Sequence, residues 1–468
     1  MKARACVLGI DLGTSAVKGV LRSAEGETWK AKASYRGQAP RDWLDAMAAI
    51  IAELREKSGR EIASVGFSSQ VGTYVIDESE VISWRDDAGR EELEQILSVI
   101  PQEEFVREIG MYHPNLISYP LPRLLHIQKH YGMGREVLMP KELLIRALTG
   151  ETVTDVFSMR GIADLTRGRY AVGLTKKLGI ETTLPPIKAP TDLAGYVTEE
   201  AAKKYGLTAG TPVYLGTSDF FAGLLGMGVR EAGDGFDLSG TSEHVGYLSP
   251  SPRREGFVSG KYFFENCTYG VTRSSGPSCD FAIRNFGVDG LTLARVLEGT
   301  PPIFLPYLGG ERAPVFDEAA RGVYFGLGVD TDRDQMAYAA LEGVVFSLYH
   351  IVESMGMPRL RRMICGGGSA ANELMNRLRA TVFDCEVLCV SDNDTSALGA
   401  CMLAMTGSGL CGDLTEAIEA CVSYRPPVLP MKEYRPALMR RFAIYRDLYG
   451  SLKENFRAFR DYERTKET

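Results

Sequence analysis

One short phrase occurs twice in this chain, half its length apart, and it limits the architecture more than any other feature. Ile10, Asp11, Leu12, Gly13, Thr14 and Ser15 are echoed by Phe236, Asp237, Leu238, Ser239, Gly240, Thr241 and Ser242. Each copy closes an apolar run rich in strand formers and leads into another, Ala16 to Leu21 in the first case and Val245 to Leu248 in the second. The spacing predicts two β-hairpins whose turns carry glycine, threonine and serine. Such turns present backbone N–H groups and hydroxyls to an anion, as phosphate-binding nests do. One in each half predicts two related domains that hold a nucleotide's phosphates between them.

At 468 residues the chain exceeds one ordinary core and calls for two or three domains. A net charge of −7 argues against general affinity for nucleic acid or anionic membrane, and a bound polyphosphate would need a cation's help. The apolar stretch Val7 to Ile10 is too short for a signal peptide, and the run Gly343 to Val352 has the length of a core helix rather than a membrane span. The nine cysteines are scattered, with no C-x-x-C motif, and Cys385 and Cys389 stand apart from any histidine. Reduced, buried thiols in a cytoplasmic protein are expected.

Residues 5–12, 15–22 and 28–35 are predicted as consecutive strands. A helix over 41–57 follows, with Trp43, Leu44, Met47, Ile50, Ile51 and Leu54 on one stripe, and then strands at 62–67 and 73–77. The second half opens in the same way at 235–249 and 256–267, with a helix near 277–286. Proline-bearing loops and the glycines 223, 226 and 228 place the boundary near residue 228, giving domains of 1–228 and 229–468.

Four constellations could carry chemistry. In the first, Gly13 lets the backbone approach an oxygen, Thr14 and Ser15 donate, Lys18 follows, and Asp11 can hold a hydrated Mg²⁺. The second is the turn at Gly240 and Thr241, weak alone and strengthened by the repeat. Third, Gly366, Gly367 and Gly368 link a strand to a helix beginning after Asn372, a floor suited to a base or ribose. The small-residue helix from Asp394 to Ala404 is expected to pack behind that floor. In the fourth, Asp219 follows the apolar strand Val213 to Leu215. It suits a general base that takes a proton from a substrate hydroxyl, and equally the cap of the helix starting at Phe220. The spacing leaves both open.

The residues then resemble the FGGY carbohydrate kinases over nearly the whole chain. Gly9 to Lys18 is close to the family's opening. Thr154 to Leu165, Leu184 to Ile187 and Gly206 to Val213 resemble the middle of its N-terminal domain. Tyr307 to Pro314, Asp317, Arg321–Gly322 and Leu341 to Gly343 resemble its C-terminal signature. The resemblance implies an α/β fold of two ribonuclease H-like domains, of actin or hexokinase type, with Mg²⁺ and ATP in an interdomain cleft. It puts Asp219 at the catalytic aspartate, with Asp11 and Asp219 near the metal through water. Thr14, Gly240 and Thr241 fall at the phosphates. Gly276 and Asp280 fall beside the ribose and adenine, with Gly368 and Asn372 as the other adenine-side pair. The chain departs from the family at the sugar: after Gln70 it has Val71 and Gly72 where glycerol kinases carry Arg-Glu and xylulokinases Met-His. Gln70, Val71, Gly72, Trp84, Asp86 and Asp219 are the candidate substrate residues. His113, His126 and His130 are expected on helix surfaces or in structural roles rather than as ligands, Lys141 beside a carboxylate or carbonyl, and Arg312 as a fork fixing Asp317 or a loop.

The leading expectation is an ATP-dependent kinase acting on a small sugar, a ketopentose such as xylulose or ribulose, or on a polyol, with a homodimer made plausible by the family. The alternatives are an ATP-driven conformational switch of the actin or chaperone type and a catalytically silent sugar sensor. Asp219 at the base position opposes the switch, and the retention of Asp11, Asp219 and the glycine turns opposes the sensor.

Overall fold

The computed structural model describes residues 5–111, 116–239, 243–251, 256–356 and 359–466. Gly240, Thr241, Ser242 and His113 lie outside the described residues. β1 (Ala5–Leu12), β2 (Ala16–Ser23) and β3 (Thr28–Ser34) form a meander, the helix Pro40–Ser58 crosses over, and β4 (Glu61–Ser69) returns beside β1. The β-β-β-α-β order expected from the sequence is present, its boundaries shifted by a residue or two. Pro40 opens the helix, Asp42 accepts the Ala39 amide at 3.4 Å, and Gly59 ends it in the left-handed region at φ 60°. Its buried stripe contains Trp43, Met47, Ile50, Ile51 and Leu54. β1 is antiparallel to β2 and parallel to β4, and two later strands extend the sheet to the order Leu193–Tyr196, Pro212–Ser218, β4, β1, β2, β3.

The plan recurs in the second half. Strand Asp234–Ser239 is antiparallel to Glu243–Ser249, which pairs with Asn266–Thr272 on its other side. It is parallel to Arg362–Gly367, which in turn pairs with Glu386–Cys389. The repeated phrase therefore occupies the same strand of the same sheet plan twice. The apolar run at 343–352 lies in the buried helix Arg333–Ser354. The long helix Arg435–Arg464 buries Leu438, Phe442 and Tyr445, and the Tyr445 hydroxyl meets that of Tyr307 at 2.8 Å. Among the described residues no helix is long and apolar enough to cross a membrane.

The chain forms two compact units. The first holds Met1–Arg230, Ser259–Phe264 and Asp394–Val422, and the second holds Glu231–Val258, Glu265–Asn393 and Ser423–Thr468. The helix Thr395–Gly407, expected behind the glycine run at 366–368, belongs instead to the first unit and packs on β1, β4 and the helix Asp219–Gly226. Small residues on both sides make this possible. A Cβ added at Gly9 would lie 2.1 Å from the Ala397 carbonyl, one at Gly66 2.3 Å from that of Ala400, and one at Gly399 1.9 Å from that of Ala222. Each neighbour is backbone and cannot rotate away. Gly399→Ala is therefore expected to destabilise the protein by about 3 kcal/mol, read as a lowered midpoint in urea at unchanged slope.

Candidate active site

Three adjacent parallel strands of the first unit deliver polar residues to one end of their sheet. Asp11 of β1 is in register with Ser68 of β4, and Thr217 is in register with Ser68 from the other side. Gln70 directly follows β4, and Asp219 directly follows the strand Pro212–Ser218. Carboxyl ends of parallel strands are where α/β folds place ligands.

Asp11 is buried and its Oδ1 accepts the Ser68 hydroxyl at 2.8 Å. Asp219 is half-buried and opens the helix Asp219–Gly226, while the cap position falls on Ser218. Its Oδ1 accepts the Phe220 amide at 2.7 Å, and its carbonyl accepts the Ser396 hydroxyl at 2.9 Å. Burial pushes Asp219 up to about 6, against the pull of the Phe220 amide and Arg160. Burial and then the charge of Asp219 push Asp11 up to about 7, against the Ser68 hydroxyl and Lys18. Two carboxylates that burial makes hard to ionise, one of them raised further by the other, fit a divalent cation, whose charge relieves both. A carboxylate near 6 is also a competent proton acceptor at neutral pH. Activity should accordingly fall as pH drops through about 6 and Asp219 takes up its proton. A log(kcat/KM) profile level from neutral to mildly alkaline pH and falling on the acid side checks this.

The hairpin turn is held by its carbonyls. Tyr35 donates its hydroxyl to the Gly13 carbonyl, and Gln38 donates to that of Thr14 at 2.8 Å. Thr14 is half-buried and Ser15 exposed. Lys18 lies opposite Asp11 across the hairpin, and its ammonium stands 3.1 Å from Asp394 Oδ1, while Lys30 holds Asp394 Oδ2 at 3.3 Å. Lys18 therefore already has an anionic partner, which a phosphate would have to share.

On the substrate side, Gln70 is buried and donates to Gln38 Oε1 at 3.4 Å. Its own Oε1 is buried and has no hydrogen-bond partner among the described residues. Val71 is half-buried. Gly72 adopts φ 81°, and a Cβ there would meet Ser118 at 3.0 Å and Trp84 at 3.3 Å, so it serves close packing of that loop. Trp84 is half-buried beneath the Arg85 guanidinium, 5.2 Å from its ring centroid. Asp86 is exposed and closes its own turn on the Ser83 amide at 2.7 Å. Arg123, fully buried, fastens the loop by donating to the carbonyls of Ser83 at 3.0 Å and Asp86 at 2.7 Å.

In the second unit, Gly276 and Asp280 lie one turn apart on the helix Ser275–Phe286, with Asp280 exposed. Gly367 takes φ 84°, where a Cβ would fall 1.9 Å from the Ser239 carbonyl, whereas Gly368 is open. Asn372 caps the helix Glu373–Phe383, accepting the Met375 amide at 3.0 Å. Asp237, the counterpart of Asp11 in the repeat, differs sharply. It is buried against Arg379, Nε to Oδ2 2.6 Å, and the same guanidinium reaches Glu243 at 3.1 Å and Ser369 Oγ at 2.5 Å. The second copy of the phrase is thus neutralised by protein.

Lys141 is buried between Glu142 at 2.9 Å and Asp155 at 3.3 Å, the carboxylate partnership expected for it. The loop around Arg312 is fastened through Glu311, which accepts Thr272 Oγ1 at 2.8 Å and the amides of Arg273 at 3.0 Å and Arg312 at 2.7 Å. Asp317 accepts the Tyr449 hydroxyl at 3.0 Å. Sequence reasoning missed Arg160, whose guanidinium lies 5.9 Å and 5.5 Å from the Phe220 and Phe221 rings, together with Asp394 and Arg379. No spacing ties these residues to the partners they serve.

Residues 6–226 match the model of the N-terminal domain of the FGGY family of carbohydrate kinases, and residues 288–408 match that of its C-terminal domain. Among similar proteins, a xylulose kinase of Lactococcus lactis subsp. lactis is 28% identical, covering 96% of this chain and 97% of that one. A gluconokinase of Bacillus subtilis is 24% identical, with 98% of each covered. In fold, the chain is similar to solved structures of a gluconate kinase and a ligand-bound xylulose kinase from Lactobacillus acidophilus. Each has a TM-score of 0.86 over 97% of this chain, at 23% and 24% identity and with 99% and 100% of those chains covered. Two units on one sheet plan and these matches define a sugar phosphotransferase of mixed α/β fold. The chain belongs to the FGGY family of carbohydrate kinases.

Proposed function

We propose that this kinase transfers the γ-phosphoryl group of Mg–ATP to a hydroxyl of a small sugar, a ketopentose such as xylulose or ribulose, or of a polyol. The observation that carries the proposal is the arrival of Asp11, Gln70 and Asp219 at one end of three adjacent strands. Asp219 takes the proton of the substrate hydroxyl while that oxygen bonds to the γ-phosphorus and the bond to the ADP oxygen breaks. Asp11, with Asp219 through water, is the pair suited to Mg²⁺, which when bound supplies positive charge to the phosphates. Gly13, Thr14, Ser15 and Lys18, with Gly240 and Thr241, are assigned to the phosphates. Gly276, Asp280, Gly367, Gly368 and Asn372 are assigned to the nucleoside. The unpaired Gln70 carbonyl oxygen suits a sugar hydroxyl, since a buried acceptor left without a donor costs stability. The similarity to proteins named xylulose kinase favours a ketopentose, and that to gluconokinases brings a sugar acid in as the second reading.

Mg-ATP-dependent ADP release across pentuloses, polyols and aldonates tests the proposal. A ketopentose should give the highest kcat/KM, an aldonate in first place would support the second reading, and failure of every carbohydrate would overturn both. We further propose, in keeping with the family resemblance, that it works in the cytoplasm and as a homodimer, the latter checked by light scattering.

A further inference from the structure

Glu92 lies on the helix Arg90–Val99, and His126 and His130 lie on the helix Pro120–Tyr131. The spacing of four residues puts both imidazoles on one face, with ring centroids 4.2 Å apart. Glu92 is 4% exposed, and its Oε2 stands 3.5 Å from His126 Nδ1. One ligand atom from each of the three residues can be chosen so that all lie within 4.8 Å of one another. The other carboxylate oxygen, Oε1, is engaged by Lys129 at 3.3 Å, which leaves Oε2 directed at the histidines. His130 is exposed and gives solvent access.

We infer that Glu92, His126 and His130 form a site for a transition-metal dication such as Zn²⁺, separate from the site proposed for Mg²⁺ and clipping two helices together. Two imidazoles and one carboxylate make a familiar zinc donor set, with a fourth position left for water. Mg²⁺ prefers oxygen ligands in an octahedron and is a poor competitor for such donors. From sequence the histidines alone suggested a helix surface; the carboxylate arrives from a different helix. The same helix carries Arg123, which fastens the loop of Trp84 and Asp86, so the clip bears on the residues proposed to meet the sugar.

The test uses the full chain, stripped with EDTA and returned to Mg²⁺ buffer, titrated calorimetrically with Zn²⁺ beside His126→Asn and His130→Asn. The native chain should bind one equivalent, both variants should bind at least about tenfold more weakly, and Zn²⁺ should raise the thermal midpoint of the native chain alone. Co²⁺ in place of Zn²⁺ should give the visible ligand-field bands of a low-coordinate site, lost in either variant. Because His130 is exposed, its variant keeps the fold and decides the matter should His126→Asn unfold. Absence of binding to the native chain, or equal binding by the native chain and His130→Asn, overturns the inference.

Discussion

An Asp219→Asn variant is expected to keep its fold and to lose kcat by about 10²- to 10⁴-fold, the range a positioned general base supplies. Asparagine preserves the size of the side chain and can still accept the Phe220 amide through its oxygen, so the start of the helix should stand. What disappears is the site that receives the hydroxyl proton. Because the phosphates and the nucleoside are assigned to other residues and Asp219 meets Mg²⁺ only through water, the KM for ATP should change little, and a parallel rise in that KM would mark a binding defect instead. Stability should move the opposite way. Asp219 is harder to ionise in the folded chain, at about 6, than an aspartate in water, at 3.8, so its charge costs stability once pH rises through that window. Asp11, raised to about 7 in part by Asp219, adds to the strain. The variant should therefore melt higher than the native chain at pH 8, and the difference should vanish near pH 4. Equal turnover by variant and native chain would remove Asp219 from the chemistry, whatever the melting curves show.

The parts of this molecule that a local pattern writes were legible in its sequence. The alternating apolar runs on either side of Gly13 form the hairpin, and the stripe from Trp43 to Leu54 faces the core. Pro40 and Gly59 bound that helix because each restricts or permits a particular backbone angle. Asp11 and Asp219 could be named because each sits at or beside the end of a predictable strand, and Gln70 through the family resemblance. What stayed hidden depends on where distant segments land. The small residues of Thr395–Gly407 announce close packing but not the surface packed against, and Gly9, Gly66 and Ala222 supply that surface from far along the chain. The same applies to charge. Asp11 and Asp237 stand in the same phrase on equivalent strands, yet one is left facing a second carboxylate and the other is neutralised by Arg379. Nothing in the phrase distinguishes them.

That contrast makes Arg379→Met the substitution with the largest expected effect on stability. The side chain is buried and is shared by Asp237, Glu243, Ser369 and Asn376, the last accepting from Nη1 at 3.0 Å. It ties the strand Asp234–Ser239 to the start of Glu243–Ser249 and to the glycine-rich turn before Asn372, beside Gly367 and Gly368, which are proposed above for the nucleoside. Methionine fills the volume but leaves two buried carboxylates without a cation, a loss of about 3–5 kcal/mol in comparable cases. Glu243 already lies well above the usual glutamate range through burial and the nearby Asp237. Losing the guanidinium raises it further, so the variant should bind a proton there on folding. Its deficit is therefore greatest above neutral pH and shrinks as pH falls toward the unfolded-state value of glutamate. Two measurements separate this from simple loss of packing: the gap in thermal midpoint should narrow from pH 8 to pH 5.5, and adding Glu243→Gln should recover part of it at pH 8. A deficit independent of pH and untouched by Glu243→Gln would mean that Arg379 acts through its bulk rather than through its charge.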